Sequence, residues 1–187
     1  MFEFIVIGMV LHEESTGYDI KKKIEAGIGN LYAASHGSLY PALKRLTDKG
    51  LLTMSERMEG KRQKKYYKAT EAGKAAFLEW LSLPLERNDD LEAYLAQVFL
   101  LGELPRETRK KRLEEYEFYA QQMLQQLQLV ESQLSTEKTN ENLSDREYFE
   151  LSTFYYSYQL LHNMIRWIRY IGEQKPLSNY LRENDLS

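Results

Sequence analysis

The 187-residue sequence contains no cysteine. That absence excludes disulfides, zinc fingers, iron–sulfur clusters and thiol nucleophiles together, and it fits a cytoplasmic protein. Proline occurs four times and histidine three times. His12 and His162 lie within apolar runs and read as structural residues. His36 has nothing near it that points to metal. The longest apolar run, Phe4 to Leu11, is too short to span a bilayer, and Glu3 stands where a signal peptide carries positive charge. Neither secretion nor membrane insertion is expected. There is no GxGxxG after a strand, no phosphate-binding loop and no GxSxG. The carboxylates are scattered and solvated, so no acid–base pair can be assigned. Neither an enzyme nor a cofactor is expected.

What is present is a chain able to form a core, with 43% hydrophobic and 28% charged residues, long enough for one large domain or two small ones. The net charge of −3 conceals an asymmetry. Residues 1–82 hold 13 basic against 10 acidic residues, a net of +3, whereas residues 83–187 hold 12 against 18, a net of −6. Lys44–Lys68 alone carries 9 basic and 3 acidic residues. Such a stretch on an otherwise acidic protein is either a surface facing a polyanion or a well-solvated hairpin.

Hydrophobic spacing places the elements. Phe2 to Leu11 predicts a buried first helix ending near His12. Ser15 or Thr16 caps a second helix over about Tyr18–Ala26, ended by Gly27 and Gly29. Ser35 caps a third that stops at Lys49-Gly50, with Gly50 in the left-handed position. On it Leu39, Leu43 and Leu46 share one face, and Gly37, Pro41, Lys44 and Asp48 point the other way, flanked by Tyr40, Ser38 and Arg45. Pro41 lies late for a first-turn proline and predicts a bend or irregular early turns. Two β-prone runs follow, Leu51–Arg57 and Lys64–Ala69, joined by a polar turn. A fourth helix starts at Thr70 and runs to Leu83-Pro84. Helix, helix, helix, hairpin, helix is a helix-turn-helix with a basic wing.

Gly17-Tyr18-Asp19-Ile20, Gly37-Ser38-Leu39-Tyr40-Pro41-Ala42-Leu43-Lys44-Arg45-Leu46, Lys49-Gly50-Leu51-Leu52 and Lys65-Tyr66-Tyr67-Lys68-Ala69-Thr70-Glu71-Ala72-Gly73 occur in an order and spacing that resemble the PadR family of bacterial transcriptional regulators. The resemblance covers roughly residues 1–82. It implies a dimeric regulator, a repressor in the first instance, and for some relatives a small aromatic or hydrophobic effector such as a phenolic acid or a drug. It places the tyrosine matching Tyr40 on the recognition helix at the DNA surface. On that footing the expected DNA contacts are Ser35, His36, Ser38, Tyr40, Lys44 and Arg45 from the third helix and Lys61, Arg62, Lys64 and Lys65 from the wing. Of Tyr66 and Tyr67, strand alternation turns one inward. The partner is a pseudo-palindromic duplex.

The acidic half resembles the C-terminal domain of longer members in architecture. Leu91, Tyr94, Leu95, Val98 and Phe99 form an amphipathic helix closed by Gly102 and Pro105. Leu113, Tyr116, Ala120, Met123, Leu127, Val130 and Leu134 follow a 3-4 repeat over three heptads, a coiled-coil seam. Residues 135–142 read as a loop. In the last long helix Leu151, Phe154, Tyr158, Leu161, Ile165 and Ile168 make one stripe, and Phe149, Tyr156, Leu160, Trp167 and Ile171 a second. A helix apolar on two sides must be covered on two sides, which points to a second copy of the chain, with Leu113, Tyr116, Met123, Leu127, Val130, Leu134, Phe154, Tyr158, Leu161, Ile165 and Ile168 as the expected dimerisation residues. An intrachain bundle or an aromatic-lined ligand pocket remains open. The expected fold is mainly α with one β-hairpin: a winged helix-turn-helix over residues 1–83 and a helical dimerisation domain over 88–175. A rival assignment is a winged-helix protein-interaction module that does not bind DNA, which the acidic total charge favours and the basic wing opposes.

Overall fold

The computed structural model describes residues 1–29, 36–60, 62–84, 91–134 and 143–183. They contain eight α-helices and one three-stranded sheet. In chain order these are α1 (Phe2–Gly8), β1 (Ser15–Thr16), α2 (Gly17–Ile28), α3 (His36–Asp48), β2 (Leu52–Glu59), β3 (Arg62–Ala69), α4 (Glu71–Ser82), α5 (Leu91–Leu100), α6 (Arg106–Leu134), α7 (Asp145–Gly172) and the short α8 (Tyr180–Glu183). No helix among the described residues is long and apolar enough to cross a membrane. The molecule divides into two compact units, Met1–Arg109 and Lys110–Ser187.

In the first unit, Ile5, Ile7, Ile20, Ile24, Leu39, Leu43, Leu46, Phe77 and Leu81 are fully buried, each side chain contributing about 1.5–3 kcal/mol of burial. Phe4 stacks on Trp80 with ring centroids 5.0 Å apart, tying α1 to α4. α1 stops at Gly8, short of the expected His12. The Ala69 N–H donates to the Val10 carbonyl at 3.2 Å, and this bond draws the chain out of the helix towards the sheet. Lys23 then holds the connection, its Nζ donating to the Met9 carbonyl, Glu13 Oε1 and Ser15 Oγ.

α2 begins at Gly17 because Thr16 caps it, its Oγ1 accepting from the Asp19 N–H at 3.2 Å. α3 ends in a Schellman turn: Leu51 N–H donates to the Leu46 carbonyl at 2.9 Å and Gly50 N–H to Thr47 at 3.0 Å, with Gly50 at φ 70°. α3 runs through Pro41. The proline removes one N–H, that facing the Gly37 carbonyl, without ending the helix.

The hairpin is longer than its sequence pattern. β2 and β3 pair from Leu52↔Ala69 to Glu59↔Arg62, which leaves only residues 60 and 61 in the loop, with Gly60 at φ 60°. Met58, Glu59, Arg62 and Gln63 of the polar segment thus extend the strands instead of forming a wide turn. The sheet also gains a strand that the sequence pattern does not show: β1 pairs with β3 through Ser15↔Tyr67 and Thr16↔Tyr66. Thr16 therefore both caps α2 and anchors the wing.

α5 belongs with the first unit, whereas the sequence reading starts the second domain at residue 88. A Cβ on Gly8 would stand 2.9 Å from Leu100 Cδ2, and the Phe99 ring lies over Gly27.

In the second unit α6 and α7 run antiparallel. Gln128 Nε2 donates to the Tyr158 hydroxyl at 3.4 Å, Arg169 Nε to Glu117 Oε1 at 2.7 Å, and Leu113 lies 3.8 Å from a Cβ placed on Gly172. α7 opens with a reciprocal capping box between Ser144 and Glu147. Ala120, Leu161 and Ile165 form a core against which Leu124, Leu127 and Met164 pack. Tyr116 and Ile168 are also buried, and Phe154 and Tyr158 half-buried. Leu127, Leu161 and Ile165, expected to meet a second chain, thus pack with Ala120 between α6 and α7 of one chain, the two repeats facing each other antiparallel. Met123 and Val130 are exposed, and the Leu134 side chain lies outside the described residues. The N-terminal part of the second stripe of α7 is open, with Phe149 and Tyr156 each 68% exposed and Leu160 40%, whereas Trp167 and Ile171 are half-buried.

Candidate nucleic-acid interface

The start of α2, the outer face of α3 and the wing enclose a groove of about 860 Å³. Thr16, Gly17, Tyr18 and Asp19 form one wall, Tyr40, Lys44, Thr47 and Asp48 the floor, and Met54, Arg62, Gln63, Lys64, Lys65 and Tyr67 the other wall. α3 presents this floor because Leu39, Ala42, Leu43 and Leu46 are fully buried on its opposite side. A helix locked in that way offers fixed side-chain positions, which base-edge contacts require.

The expected contact residues divide into four sets. Tyr40 (46% exposed), Lys44, Arg62, Lys64 and Lys65 line the groove. Ser38 is half-buried near the start of α3. Arg45 points elsewhere, its Nε donating to Glu3 Oε1 on α1 at 2.7 Å, while Lys49 reaches Glu3 Oε2 at 3.2 Å. Arg45 thus braces α3 against α1. Ser35, Lys61 and the side chain of His36 lie outside the described residues.

The charge of the surface differs from what the count over Lys44–Lys68 implies. Lys44 pairs with Asp48 one turn on at 2.6 Å. Arg57 Nη2 donates to Glu14 Oε2 at 2.7 Å, Lys64 pairs with Glu59, and Lys65 lies 3.6 Å from Glu56. Tyr66 also donates its hydroxyl to Glu59, and the Arg57 guanidinium sits over the Tyr66 ring, 5.1 Å from its centroid. The Arg62 side chain makes no ion pair among the described residues. Lys64, and after it Tyr66, holds the Glu59 carboxyl below the usual range, while Glu59 raises both partners. Of the adjacent tyrosines, Tyr67 is the one turned inward, 8% exposed. Burial, with Tyr40 and Glu56 adding to it, pushes its hydroxyl above the ordinary tyrosine value.

Thr16, Tyr18, Asp19 and Met54 join the groove without having been expected there. The first three belong to a short strand and a helix start that only the fold brings opposite α3. No group of three metal-ligating side chains occurs among the described residues.

Residues 6–79 match the model of the transcriptional regulator PadR-like family. Over 82 residues, 43% of this chain, the sequence is 34% identical to the negative transcriptional regulator PadR of Bacillus subtilis. Over 48 residues, 26% of the chain, it is 46% identical to the transcriptional regulator Rv3488 of Mycobacterium tuberculosis. Each match spans 45% of the relative's length, less than half. The crystal structure of Bacillus subtilis PadR with operator DNA aligns with 92% of this chain and 96% of its own, at 23% identity and a TM-score of 0.44. The winged-helix segment over residues 6–79 is thus similar to the PadR-like family of transcriptional regulators.

Proposed function

We propose that the chain is a cytoplasmic, dimeric, sequence-specific DNA-binding regulator, acting as a repressor and not as an enzyme. The observation that carries this reading is the groove floor. Tyr40 and Lys44 project from a helix whose other face is fixed in the core, and the wing cations Arg62, Lys64 and Lys65 stand beside them. α3 is suited to the major groove, and the hairpin, with two residues in its loop, is narrow enough for phosphate or minor-groove contact. The name of the Bacillus subtilis relative, a negative regulator, supports the sign. Dimerisation rests on the α7 face carrying Phe149, Tyr156 and Leu160, which nothing in the same unit covers among the described residues.

Selection of a duplex from random sequence, followed by footprinting, tests the reading. A pseudo-palindrome with half-site centres about 10 bp apart is expected, with affinity falling steeply as salt rises. Full affinity for a single unrepeated half-site would contradict the dimer. The pairing of the cations with Glu3, Glu14, Glu56 and Glu59 favours the rival, a protein-interaction module. Absence of binding to any duplex at low salt would decide for it.

A further inference from the structure

The wing carries its own opposing charge in a built arrangement. Residues 52–69 contain six cations, Arg57, Lys61, Arg62, Lys64, Lys65 and Lys68, and two carboxylates, Glu56 and Glu59. Strand register puts Glu56 directly opposite Lys65 and Glu59 opposite Arg62, one diagonal step from Lys64. Because strand neighbours alternate, Glu56 lies on one face of the hairpin and Glu59 on the other. Glu56 thus stands beside Lys65 on one face, and Glu59 among Arg57, Arg62, Lys64 and Lys68 on the other. Glu59 is held in place by Lys64 and by the Tyr66 hydroxyl, while Arg57 covers the Tyr66 ring and is in turn held by Glu14. Gln63 donates to Glu56 on the other face.

We propose that Glu56 and Glu59 are an anionic brake that keeps the sequence-independent affinity of the wing for duplex DNA low; the proposal rests on the DNA-binding reading above. A phosphate approaching Lys64 or Lys65 must displace a carboxylate that is anchored within a few ångströms, well inside the screening length of about 8 Å at physiological salt. Exposed ion pairs are weak enough for a phosphate to open them, but the carboxylate remains beside the incoming phosphate and repels it. Glu59 stays ionised down into the acid range because its lysine and tyrosine donors favour the anion. Non-specific binding is supplied by phosphate neutralisation, so this is the component the two carboxylates reduce. Fixed base contacts from α3 are left to provide the affinity of a specific site.

The test compares the full chain with E56Q/E59Q, which keeps side-chain shape and removes two charges. Binding is measured by fluorescence anisotropy to a random duplex and to a selected operator across a salt series. The double variant should bind the random duplex roughly 3- to 30-fold tighter, with a salt slope steeper by about one to two units. E56Q alone should shift both in the same direction by less, which keeps the test open should loss of the Glu59 network disturb folding. E114Q/E150Q is the matched control, removing two carboxylates from exposed i,i+4 pairs with Lys110 and Arg146 on α6 and α7. It should leave random-duplex binding near that of the parent. Unchanged random-duplex affinity and slope in the wing variants, with the parent still binding its operator, overturns the brake, as does an equal gain in the control. A parent that binds neither selected nor random duplex overturns the DNA-binding reading itself, and the brake with it.

Discussion

Gly17 lies flat against Tyr40: a Cβ on Gly17 would stand 3.0 Å from Tyr40 Cε1 and 3.2 Å from its hydroxyl oxygen. The first residue of α2 therefore sets how the Tyr40 ring sits on the outer face of α3. The same residue follows Thr16, which caps α2 and pairs with Tyr66 of the wing. One short segment thus positions the outer face of α3 on one side and the hairpin on the other.

Tyr40→Phe removes a hydroxyl at a half-exposed position without touching the buried Leu39, Leu43 and Leu46 face. It should weaken operator binding by roughly 0.5–3 kcal/mol, the range for a lost hydrogen bond, with melting unchanged. Gly17→Ala should weaken operator binding as well, because the added methyl displaces the ring while the hydroxyl remains. Titrations of one selected duplex with both variants check this. If both bind like the parent, Tyr40 is not at the interface.

Gly73 should tolerate no side chain. A Cβ there collides with the backbone carbonyl oxygen of Leu51, which also accepts from the Thr70 N–H at 3.1 Å and so cannot move freely. Gly73→Ala is expected to cost about 2–4 kcal/mol of stability in urea denaturation. Gly102→Ala, where nothing lies within 4 Å, should stay within about 0.5 kcal/mol of the parent.

The Glu3 pair gives stability a pH dependence. The hydrogen bond from Arg45, with Lys49 adding to it, holds the Glu3 carboxyl below its ordinary value of 4.5 despite partial burial. A carboxyl depressed in the folded state contributes stability that is complete above its unfolded pKa. That contribution is lost as pH falls through the lower folded value. Melting temperature should therefore drop between about pH 5 and pH 3, and Glu3→Gln should flatten that part of the profile and lower stability at neutral pH. An identical acid profile in the variant would remove Glu3 from this role.

The open stripe of α7 should carry self-association. Phe149→Glu with Leu160→Glu places two charges on it, while the covered stripe of Leu161 and Ile165 keeps α6 on α7. Sedimentation at micromolar concentration should show the parent as a dimer and the variant as a monomer with unchanged helical content. A parent that sediments as a monomer would refute this.

Local sequence decided the elements and most of their ends. Thr16 and Thr70 cap helices, Lys49-Gly50 ends α3 through a left-handed glycine, and the spacing of Leu39, Leu43 and Leu46 selects the face of α3 turned inward. These features depend on neighbours within a turn or two, so composition and spacing reveal them. β1 is only two residues long, too short for any alternation, and exists because β3 is there to pair with it. The ion pairs show the limit most clearly. Arg45 meets Glu3 from 42 residues away and Arg57 meets Glu14 from 43, so counting charges along the chain makes the surface of α3 and the wing more positive than it is. Likewise the two apolar stripes of α7 are visible in sequence, but only packing against α6 determines that Leu161 and Ile165 are covered while Phe149 and Tyr156 stay open. Local structure follows from short-range backbone and side-chain preferences, whereas charge balance and burial are set by residues distant in sequence that only the folded chain brings together.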